Sequence, residues 1–232
     1  LEPAKIDAYR VLEARRLAGE PIAYILGHRE FFGRDFLVTP AVLIPRPDTE
    51  LLVECGLRAI RDVRQPQVLD LGTGSGIVAV SLALERPDAR VRATDRSADA
   101  LDVARKNARA LGAKLLFSHG NWYDTELGSQ RFDLIVSNPP YIDARDAHLG
   151  RDDLRFEPRD ALTDGADGLG ALREIVRGAP DHLSPGGTLC VEHGWDQAAV
   201  VRSLFLHQGF ADVASERDLS GIERVTRGCM PT

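Results

Sequence analysis

The stretch SNPPYI at residues 137–142 carries residue types that can hold a planar amide. Asn138 offers one side-chain acceptor and two donors. Pro139 and Pro140 fix φ and remove two backbone donors, which makes the turn stiff. Tyr141 adds a flat aromatic face. An amide NH2 group could therefore give one hydrogen to the Asn138 side-chain oxygen and the other to the Pro139 carbonyl.

Such a pair of acceptors answers a specific chemical need. The nitrogen of an amide or aryl amine is a weak nucleophile because its lone pair is delocalised. Two acceptors can position this nitrogen and favour the charge it gains as it attacks a methyl carbon. A turn that only ends a strand does not require asparagine, two prolines and an aromatic residue. We therefore predict that Asn138, Pro139 and Tyr141 are catalytic, and that Asn138, Pro139, Pro140 and Tyr141 bind the substrate.

A second motif, DLGTGSG at residues 70–76, follows a predicted strand and opens a predicted helix. Its three glycines let the backbone turn sharply and approach a ligand closely. Asp95 ends the next predicted strand about 20 residues later, where a carboxylate can accept both hydroxyls of a ribose. The alternative is a tight turn with an incidental aspartate. The strand–turn–helix context favours nucleotide-type binding.

The glycine spacing distinguishes between cofactors. A dinucleotide loop reads G-x-G-x-x-G, whereas this loop reads G-x-G-x-G after Asp70. It resembles motif I of the S-adenosylmethionine methyltransferases, whose ligand carries a sulfonium cation and no phosphate. Asp70 suits a cation better than a pyrophosphate, so S-adenosylmethionine is favoured over NAD. Trp122 follows the third predicted strand and either stacks on the adenine or is a core indole; its position leaves both open.

The elements around these motifs predict an α/β fold. An amphipathic helix is predicted over residues 4–18, a β-hairpin from about Glu30 to Val38, and a further helix after Pro47. From Gln67 onward strands alternate with helices, which implies parallel crossovers and a doubly wound sheet. The last two of the seven strands are predicted to be an antiparallel pair at one side. The irregular stretch 138–168 is long enough to be functional or mobile.

The composition narrows the function classes. The 232 residues are 44% hydrophobic and 28% charged, as in an ordinary globular protein. A net charge of −6 argues against non-specific binding to nucleic acid. No apolar run reaches the roughly 20 residues of a membrane span. The three cysteines are scattered without metal spacing, which favours a reducing cytoplasm and no metal.

Further motifs in order along the chain carry a resemblance to one family. FFGRDFLVTPAVLIPRPDTE, DLGTGSG, SNPPYI, RFEPRDAL, EHGWDQ and DLSGIERV resemble, over nearly the whole length, segments of the protein-(glutamine-N5) methyltransferases of peptide-chain release factors, the HemK/PrmC family. The resemblance implies a seven-stranded, Rossmann-like S-adenosylmethionine-dependent methyltransferase domain at residues 41–232. It also implies a β-hairpin linker at 28–40 and, at 1–27, the remnant of an N-terminal helical domain that recognises the substrate.

The resemblance further implies an activity. Members transfer a methyl group from S-adenosylmethionine to the glutamine side-chain nitrogen N5 in the Gly-Gly-Gln motif of release factors, and they leave S-adenosylhomocysteine. The matching cofactor-binding positions are Gly72, Thr73, Gly74, Ser75, Gly76, Asp95, Trp122 and Asn138, to which the charge argument adds Asp70. The family usually has an acidic residue before the tryptophan, where this chain has Asn121.

Three alternatives remain at this point. One is the sister group that methylates a glutamine of a ribosomal protein, although IPRPDTE at residues 44–50 resembles the release-factor group more closely. An adenine-N6 DNA methyltransferase would need a target-recognition region and a basic cleft. A non-catalytic S-adenosylmethionine-binding module would not need an intact substrate motif. We expect a cytoplasmic monomer that acts on release factors and binds neither nucleic acid directly nor a membrane.

Overall fold

The computed structural model describes residues 2–232, apart from the side chains of Pro3 and Asp152. The α-helices are α1 (Pro3–Leu17), α2 (Ile22–Leu26), α3 (Glu50–Ala59), α4 (Ile77–Glu85), α5 (Ala98–Leu111), α6 (Arg159–Leu162), α7 (Gly170–His182) and α8 (Ala198–His207). The strands are β1 (His28–Phe31), β2 (Arg34–Leu37), β3 (Gln67–Leu71), β4 (Arg90–Asp95), β5 (Leu115–His119), β6 (Phe132–Ser137), β7 (Leu183–Glu192), β8 (Ala211–Arg217) and β9 (Glu223–Cys229).

Within this described part, seven strands form one sheet in the order β5-β4-β3-β6-β7-β9-β8. The strands from β5 to β7 are parallel, and β9 is antiparallel to both β7 and β8. The doubly wound sheet and its antiparallel end are therefore confirmed. The chain moves outward from β3 on one side through β4 and β5, and on the other through β6 and β7. Ligands of open α/β sheets bind beside such a reversal, at the carboxyl ends of the strands.

Hydrophobic cores lie on both faces of the sheet. Successive residues of a strand point to opposite faces, and Val68 and Leu69 of β3 accordingly belong to different buried clusters. The first cluster includes residues of α3, α4 and the hairpin, and the second includes residues of α7 and α8. Because both faces are covered, the central strands carry almost continuous apolar runs. The sheet thus gives the loops at its edge a rigid base.

The N-terminal region contains the predicted helix and one further element. The predicted helix is present as α1, and its apolar side chains are exposed: Ile6 by 37%, Tyr9 by 66% and Leu17 by 83%. The short helix α2 was not predicted. Pro21 precedes its first turn, and Gly27 ends it in the left-handed conformation. The domain limits at residues 27 and 40 stay a prediction.

The β-hairpin packs firmly onto the sheet domain. It begins at His28, two residues earlier than predicted, and its turn places Phe32 and Gly33 at positive φ. Phe31 and Phe36 are fully buried in the first core cluster. The hairpin is therefore part of the folded domain's core as well as a connection.

Buried Asn107 on α5 connects three parts of the chain. Its side-chain oxygen accepts a hydrogen bond from the Leu37 amide at 2.7 Å, and its Nδ2 donates to the Leu37 carbonyl at 3.0 Å. The same Nδ2 donates to the carbonyl of Ser75 in the glycine loop at 2.8 Å. The side chain thus takes the place of a neighbouring strand for Leu37 and holds the loop.

Replacement of this amide should destabilise the fold. Asn107→Ala leaves an amide and two carbonyls without their partner, and we expect the free energy of unfolding to fall by about 1–3 kcal/mol. Urea denaturation followed by circular dichroism measures the change. The neighbouring exposed Lys106 provides the control, because Lys106→Ala should change stability by no more than about 0.5 kcal/mol. Equal midpoints for the two variants would contradict the assigned role.

Candidate active site

The two motifs meet at the carboxyl ends of adjacent strands. In the parallel pair β3–β6, Leu71 is opposite Ser137, and the Ser137 hydroxyl donates to the Leu71 carbonyl at 2.7 Å. Gly72 directly follows β3, and Asn138 directly follows β6. The glycine loop and the SNPPYI turn therefore start side by side.

The glycine loop needs its glycines for conformation and for space. Gly72, Gly74 and Gly76 have φ values of 70°, 55° and 86°, a region that side chains rarely adopt. A Cβ atom on Gly72 would lie 3.0 Å from the Trp122 ring. Gly72 therefore lets the indole pack directly against the loop backbone.

Asp70 is a buried carboxylate at the base of this loop. Its side chain is 2% exposed, and Oδ2 accepts a hydrogen bond from the Thr73 hydroxyl at 2.7 Å. Burial raises the pKa of Asp70 to about 7, although the Thr73 hydroxyl opposes the shift. Among the described residues, no cationic side chain contributes to the pKa shift of Asp70.

Asp95 fixes the loop from the neighbouring strand β4. Its Oδ2 accepts from the Gly74 amide at 2.8 Å, and its Oδ1 accepts from the Ser97 amide at 2.8 Å. Burial raises the pKa of Asp95, and these two backbone hydrogen bonds counteract that shift. Each carboxylate oxygen keeps a free lone pair, so Asp95 can still accept hydrogen bonds from a ligand.

A cavity of about 1040 Å³ opens over these residues. It is large enough for a cofactor-sized ligand together with part of a substrate. Its lining includes most of the predicted site: Asp70, Gly72, Thr73, Gly74, Ser75, Asp95, Trp122, Asn138 and Pro140. Gly76 does not line it and instead precedes the first turn of α4, where a Cβ atom would lie 3.1 Å from Ala104.

The other substrate-motif residues surround a smaller neighbouring pocket. This pocket measures about 70 Å³, and Pro139 and Tyr141 line it with Leu43 and Arg46. Asn138 lines both the large cavity and the small pocket. The asparagine therefore lies at the junction of two spaces, one of which has the size for a cofactor.

The Asn138 amide is oriented by one contact. Its Nδ2 donates to the hydroxyl of buried Thr49 at 3.1 Å. Among residues 2–232, no donor reaches Asn138 Oδ1 or the Pro139 carbonyl. These two oxygens thus have no hydrogen-bond donor among the described residues, and their role as acceptors for an amide stays a prediction.

Hydrogen bonds hold both the side chain and the backbone of Tyr141. Its hydroxyl donates to Glu192 Oε1 at 3.1 Å, and its carbonyl accepts from Gln197 Nε2 at 2.9 Å. Gly168 lies so close that a Cβ atom there would be 2.3 Å from this carbonyl oxygen. Burial, and then the charge of Glu192, raise the pKa of the Tyr141 hydroxyl, which therefore stays protonated.

Comparison with known proteins decides the family. Residues 47–152 match the family model described as Methyltransferase small domain. The chain is 58% identical over 98% of its length to a release factor glutamine methyltransferase of Bordetella pertussis, of which it covers 84%. It is 57% identical over its whole length to the corresponding enzyme of Burkholderia pseudomallei, of which it covers 83%.

The chain belongs to the release factor glutamine methyltransferases. The resemblance seen in the sequence motifs is thereby confirmed, and the ribosomal-protein and DNA-adenine alternatives are not favoured. Solved methyltransferases share the fold at low identity. A methyltransferase from Pyrococcus furiosus has a TM-score of 0.65 at 20% identity, with 95% of this chain and 98% of that one covered. A T. thermophilus 16S rRNA methyltransferase solved with AdoMet and guanosine has a TM-score of 0.63 at 23% identity, with 88% and 49% covered.

The residues of this release factor glutamine methyltransferase fit S-adenosylmethionine. Burying an ionised carboxyl group without a cationic partner costs free energy. A cationic ligand that binds beside the group offsets this cost. Asp70 meets this description and lines the cavity. Trp122 is half-buried, packs against the second core cluster and also lines the cavity, and its contact with the adenine stays a prediction.

Asn121, which stands where the family usually has an acidic residue, has an acidic neighbour in space. Its Nδ2 lies 3.4 Å from Glu174 Oε1 on α7, and both residues line the cavity. An acidic side chain from a helix more than fifty positions away thus lies beside this position.

Sequence reasoning missed four residues of the site: Arg46, Thr49, Glu157 and Glu192. Glu157 is buried, accepts from the Ile44 amide at 2.9 Å and pairs with Arg46, which joins the irregular stretch to the segment before α3. Glu192 ends the apolar run of β7, and a charge in such a run was an available signal. Thr49 lies within IPRPDTE, which served only as a mark of the family.

Neither a metal-binding cluster nor a membrane-spanning helix occurs among the described residues. No group of three or more His, Cys, Asp or Glu within residues 2–232 could hold a metal ion. No helix in this range is long and apolar enough to cross a bilayer. The prediction that no metal is used stays a prediction.

Loss of the Asp95 carboxylate should weaken cofactor binding. Asp95→Ala removes an acceptor for the ligand and leaves the amides of Gly74 and Ser97 without their partner. We therefore expect the affinity for S-adenosylmethionine to fall by about 10- to 100-fold. Isothermal titration calorimetry measures the change. Asp102→Ala, at an exposed position on α5, should leave the affinity unchanged. A dissociation constant for the Asp95 variant within twofold of this control would contradict the role.

Cofactor affinity should also depend on pH through Asp70. Burial holds the pKa of this carboxyl group near 7, and a bound cation favours its ionised form. The affinity should therefore rise from pH 5.5 to about pH 7, by up to about tenfold per unit, and level off above. Calorimetric titrations across this range measure the slope. Asp70→Asn should remove most of it, and Glu192→Gln, which leaves the cavity lining unchanged, should retain it.

Proposed function

We propose that this chain transfers a methyl group from S-adenosylmethionine to the side-chain nitrogen N5 of the glutamine in the Gly-Gly-Gln motif of peptide-chain release factors. The observation that carries the proposal is the place of Asn138, at the junction of a cofactor-sized cavity and a small pocket. Its free Oδ1 and the free Pro139 carbonyl match the two hydrogens of one amide. The family membership agrees with this assignment.

The cofactor would be held by residues at the ends of four strands, β3 to β6. Asp70 lies beside the cationic part of the ligand, and the loop Gly72–Gly76 supplies close backbone approach. Asp95 accepts the ribose hydroxyls, and Trp122 lies against the adenine. Asn138 completes this set from the adjacent turn.

The reaction needs positioning more than acid or base chemistry. S-adenosylmethionine supplies an electrophilic methyl group, so that the amide nitrogen forms a C–N bond as the C–S bond breaks, and the N-methylamide then loses a proton to water. Asn138 Oδ1 and the Pro139 carbonyl accept the two N–H groups and hold the nitrogen in line. Their partial charges favour the positive charge that develops on nitrogen. Pro140 stiffens the turn, and Tyr141 provides the face against which the amide lies.

The same two acceptors discriminate against glutamate. A carboxylate presents no N–H group to Asn138 and Pro139, and it would place negative oxygens against them. Sites built for hydrogen bonds reject ligands that lack the matching group, because their buried polar atoms are then left unpaired. A release factor with glutamate at this position should therefore not be methylated.

The rest of the proposed assignment concerns context. Release factors are the protein partner, with no direct nucleic-acid or membrane contact, and the chain acts as a monomer in the cytoplasm. Residues 1–27 belong to the region that recognises the substrate, residues 28–40 link it to the methyltransferase domain, and residues 41–232 form that domain. The exposed apolar side chains of α1 support a recognition role for the first segment.

Incubation with radiolabelled S-adenosylmethionine tests this function directly. The substrates are a purified release factor, the same factor with Gln→Glu in its Gly-Gly-Gln motif, a ribosomal large-subunit fraction and an adenine-containing duplex. We expect label on the unaltered release factor alone. Label on DNA or on the ribosomal fraction, with none on the release factor, would overturn the assignment.

Asn138→Ala should separate binding from transfer. Removal of one aligned acceptor should lower the single-turnover rate by ~10²-fold or more and leave the affinity for S-adenosylmethionine within a few-fold of the original. Rapid quenching with the labelled release factor gives the rate, and calorimetry gives the affinity. Equal single-turnover rates would show that Asn138 does not hold the amide.

A further inference from the structure

Polar side chains from three segments of the chain form a cluster beside the SNPPYI turn. Thr49 ends the short 3-10 helix Pro47–Thr49 and has no exposed surface. Glu192 ends β7 and is 1% exposed. Tyr141 reaches Glu192 from the loop after β6. These contacts are not part of a strand ladder or of the glycine loop, and two of the residues that make them, Asn138 and Tyr141, belong to the substrate motif.

The contacts form a chain that ends at the proposed amide anchor. Asn138 Nδ2 donates to Thr49 Oγ1 at 3.1 Å, and Tyr141 donates to Glu192 Oε1 at 3.1 Å. The Thr49 hydroxyl also favours the ionised form of Glu192, although Oε2 of this carboxyl group has no hydrogen-bonding partner of standard geometry among the described residues. Thr49 therefore contacts the asparagine amide directly, and its hydroxyl lies close enough to Glu192 to lower the pKa of that carboxyl group.

The chemistry of a hydroxyl makes this chain directional. Thr49 has one hydrogen, and when that hydrogen points to the carboxylate, only lone pairs remain for Asn138. The amide must then present its NH2 group to Thr49 and its oxygen to the cleft. The opposite orientation would place the Asn138 NH2 group against the NH2 group of the substrate, donor against donor.

We propose that Thr49 and Glu192 are positioning residues that set the orientation of the Asn138 amide, so that its oxygen always faces the glutamine. This inference rests on the proposed function. It adds a determinant of substrate choice that lies outside the SNPPYI motif. Thr49 transmits the orientation, and Glu192 imposes it while also holding the Tyr141 ring.

The surroundings of Glu192 support a functional reason for its burial. Burial raises its pKa to about 7; the hydroxyls of Thr49 and Tyr141 and the charge of Arg224 oppose the shift, and Asp48 adds to it. Arg224 is itself bound to Asp218 at 3.0 Å, so it is not a dedicated partner. A carboxyl group whose pKa is raised in the folded state destabilises the fold as pH rises from about 4 to about 7. Ionised Glu192 therefore lowers the stability of the fold at neutral pH, the condition in which it orients the Thr49 hydroxyl.

The decisive variant is Thr49→Val, which keeps the shape and removes the hydroxyl. We expect the single-turnover rate on the release factor to fall by at least tenfold, with the affinity for S-adenosylmethionine within threefold of the original. Thr49→Ser keeps the hydroxyl and should retain most of the rate. Thr188→Val places the same change at a buried position in β7, where the hydroxyl only contacts Cys229, and should leave the rate unchanged.

A pH profile separates positioning from mere packing. In the original enzyme the single-turnover rate at saturating cofactor should rise between pH 6 and pH 8 as Glu192 ionises. The Thr49→Val profile should be flatter, because the charge of Glu192 no longer reaches Asn138. Glu192→Gln should also be slow and flat, yet its midpoint in urea at pH 8 should be no lower than that of the original chain.

Several outcomes would overturn the inference. These are a Thr49→Val rate within twofold of the original, equal losses in the valine and serine variants, or loss of cofactor binding in the valine variant. A fall in the Glu192→Gln midpoint would also do so, since it would make the carboxyl group structural. If the original chain does not label the release factor at all, the proposed function itself fails, and that result is seen before any variant is made.

Discussion

The pairing of β3 with β6 is the constraint on which the site depends. Leu71 lies opposite Ser137, and the Ser137 hydroxyl bonded to the Leu71 carbonyl secures the last rung of this ladder. A slip of one residue would move the turn along the strand by about 3.3 Å and reverse which side chains face each core. The cofactor loop and Asn138 would then no longer start level. Because Val68 and Leu69 pack into opposite cores, such a slip is strongly opposed, and the catalytic alignment is obtained from burial that the fold needs anyway.

A second set of contacts holds the segments beside the cavity in place. Irregular backbone cannot satisfy its own polar groups. Two buried polar side chains supply partners for such groups: Asn107 bonds Leu37 and Ser75 of the glycine loop, and Glu157 bonds the Ile44 amide and Arg46. The same segments also share a small apolar cluster that includes Val42, Ile44 and Val103. The cleft therefore keeps its shape through buried polar contacts as well as apolar packing.

This difference explains what could be predicted from the sequence. The glycine loop, Asp95 and the SNPPYI turn are recognisable because each motif is local and its strand–turn–helix context repeats a known pattern. Thr49 and Glu157 act on partners 89 and 113 residues away, and no local spacing encodes such a contact. Helix α1 shows the opposite limit, since its apolar periodicity predicted the helix but not whether the apolar side would be covered. Periodicity determines a helix; only the surrounding chain determines its burial.

Two buried carboxyl groups lie on the strands that flank β6 and Asn138. Burial raises the pKa of both, and this shared shift bears on why they are there. Asp70 lies near the end of β3 and Glu192 ends β7, the two strands that pair with β6 on either side, and burial raises the pKa of each carboxyl group to about 7. A carboxyl group whose pKa is raised by burial lowers the stability of the fold at neutral pH. Two such groups beside one asparagine are therefore better explained by ligand binding than by folding. In the proposed mechanism Asp70 would be the partner of a cationic ligand, and Glu192 would orient the asparagine amide.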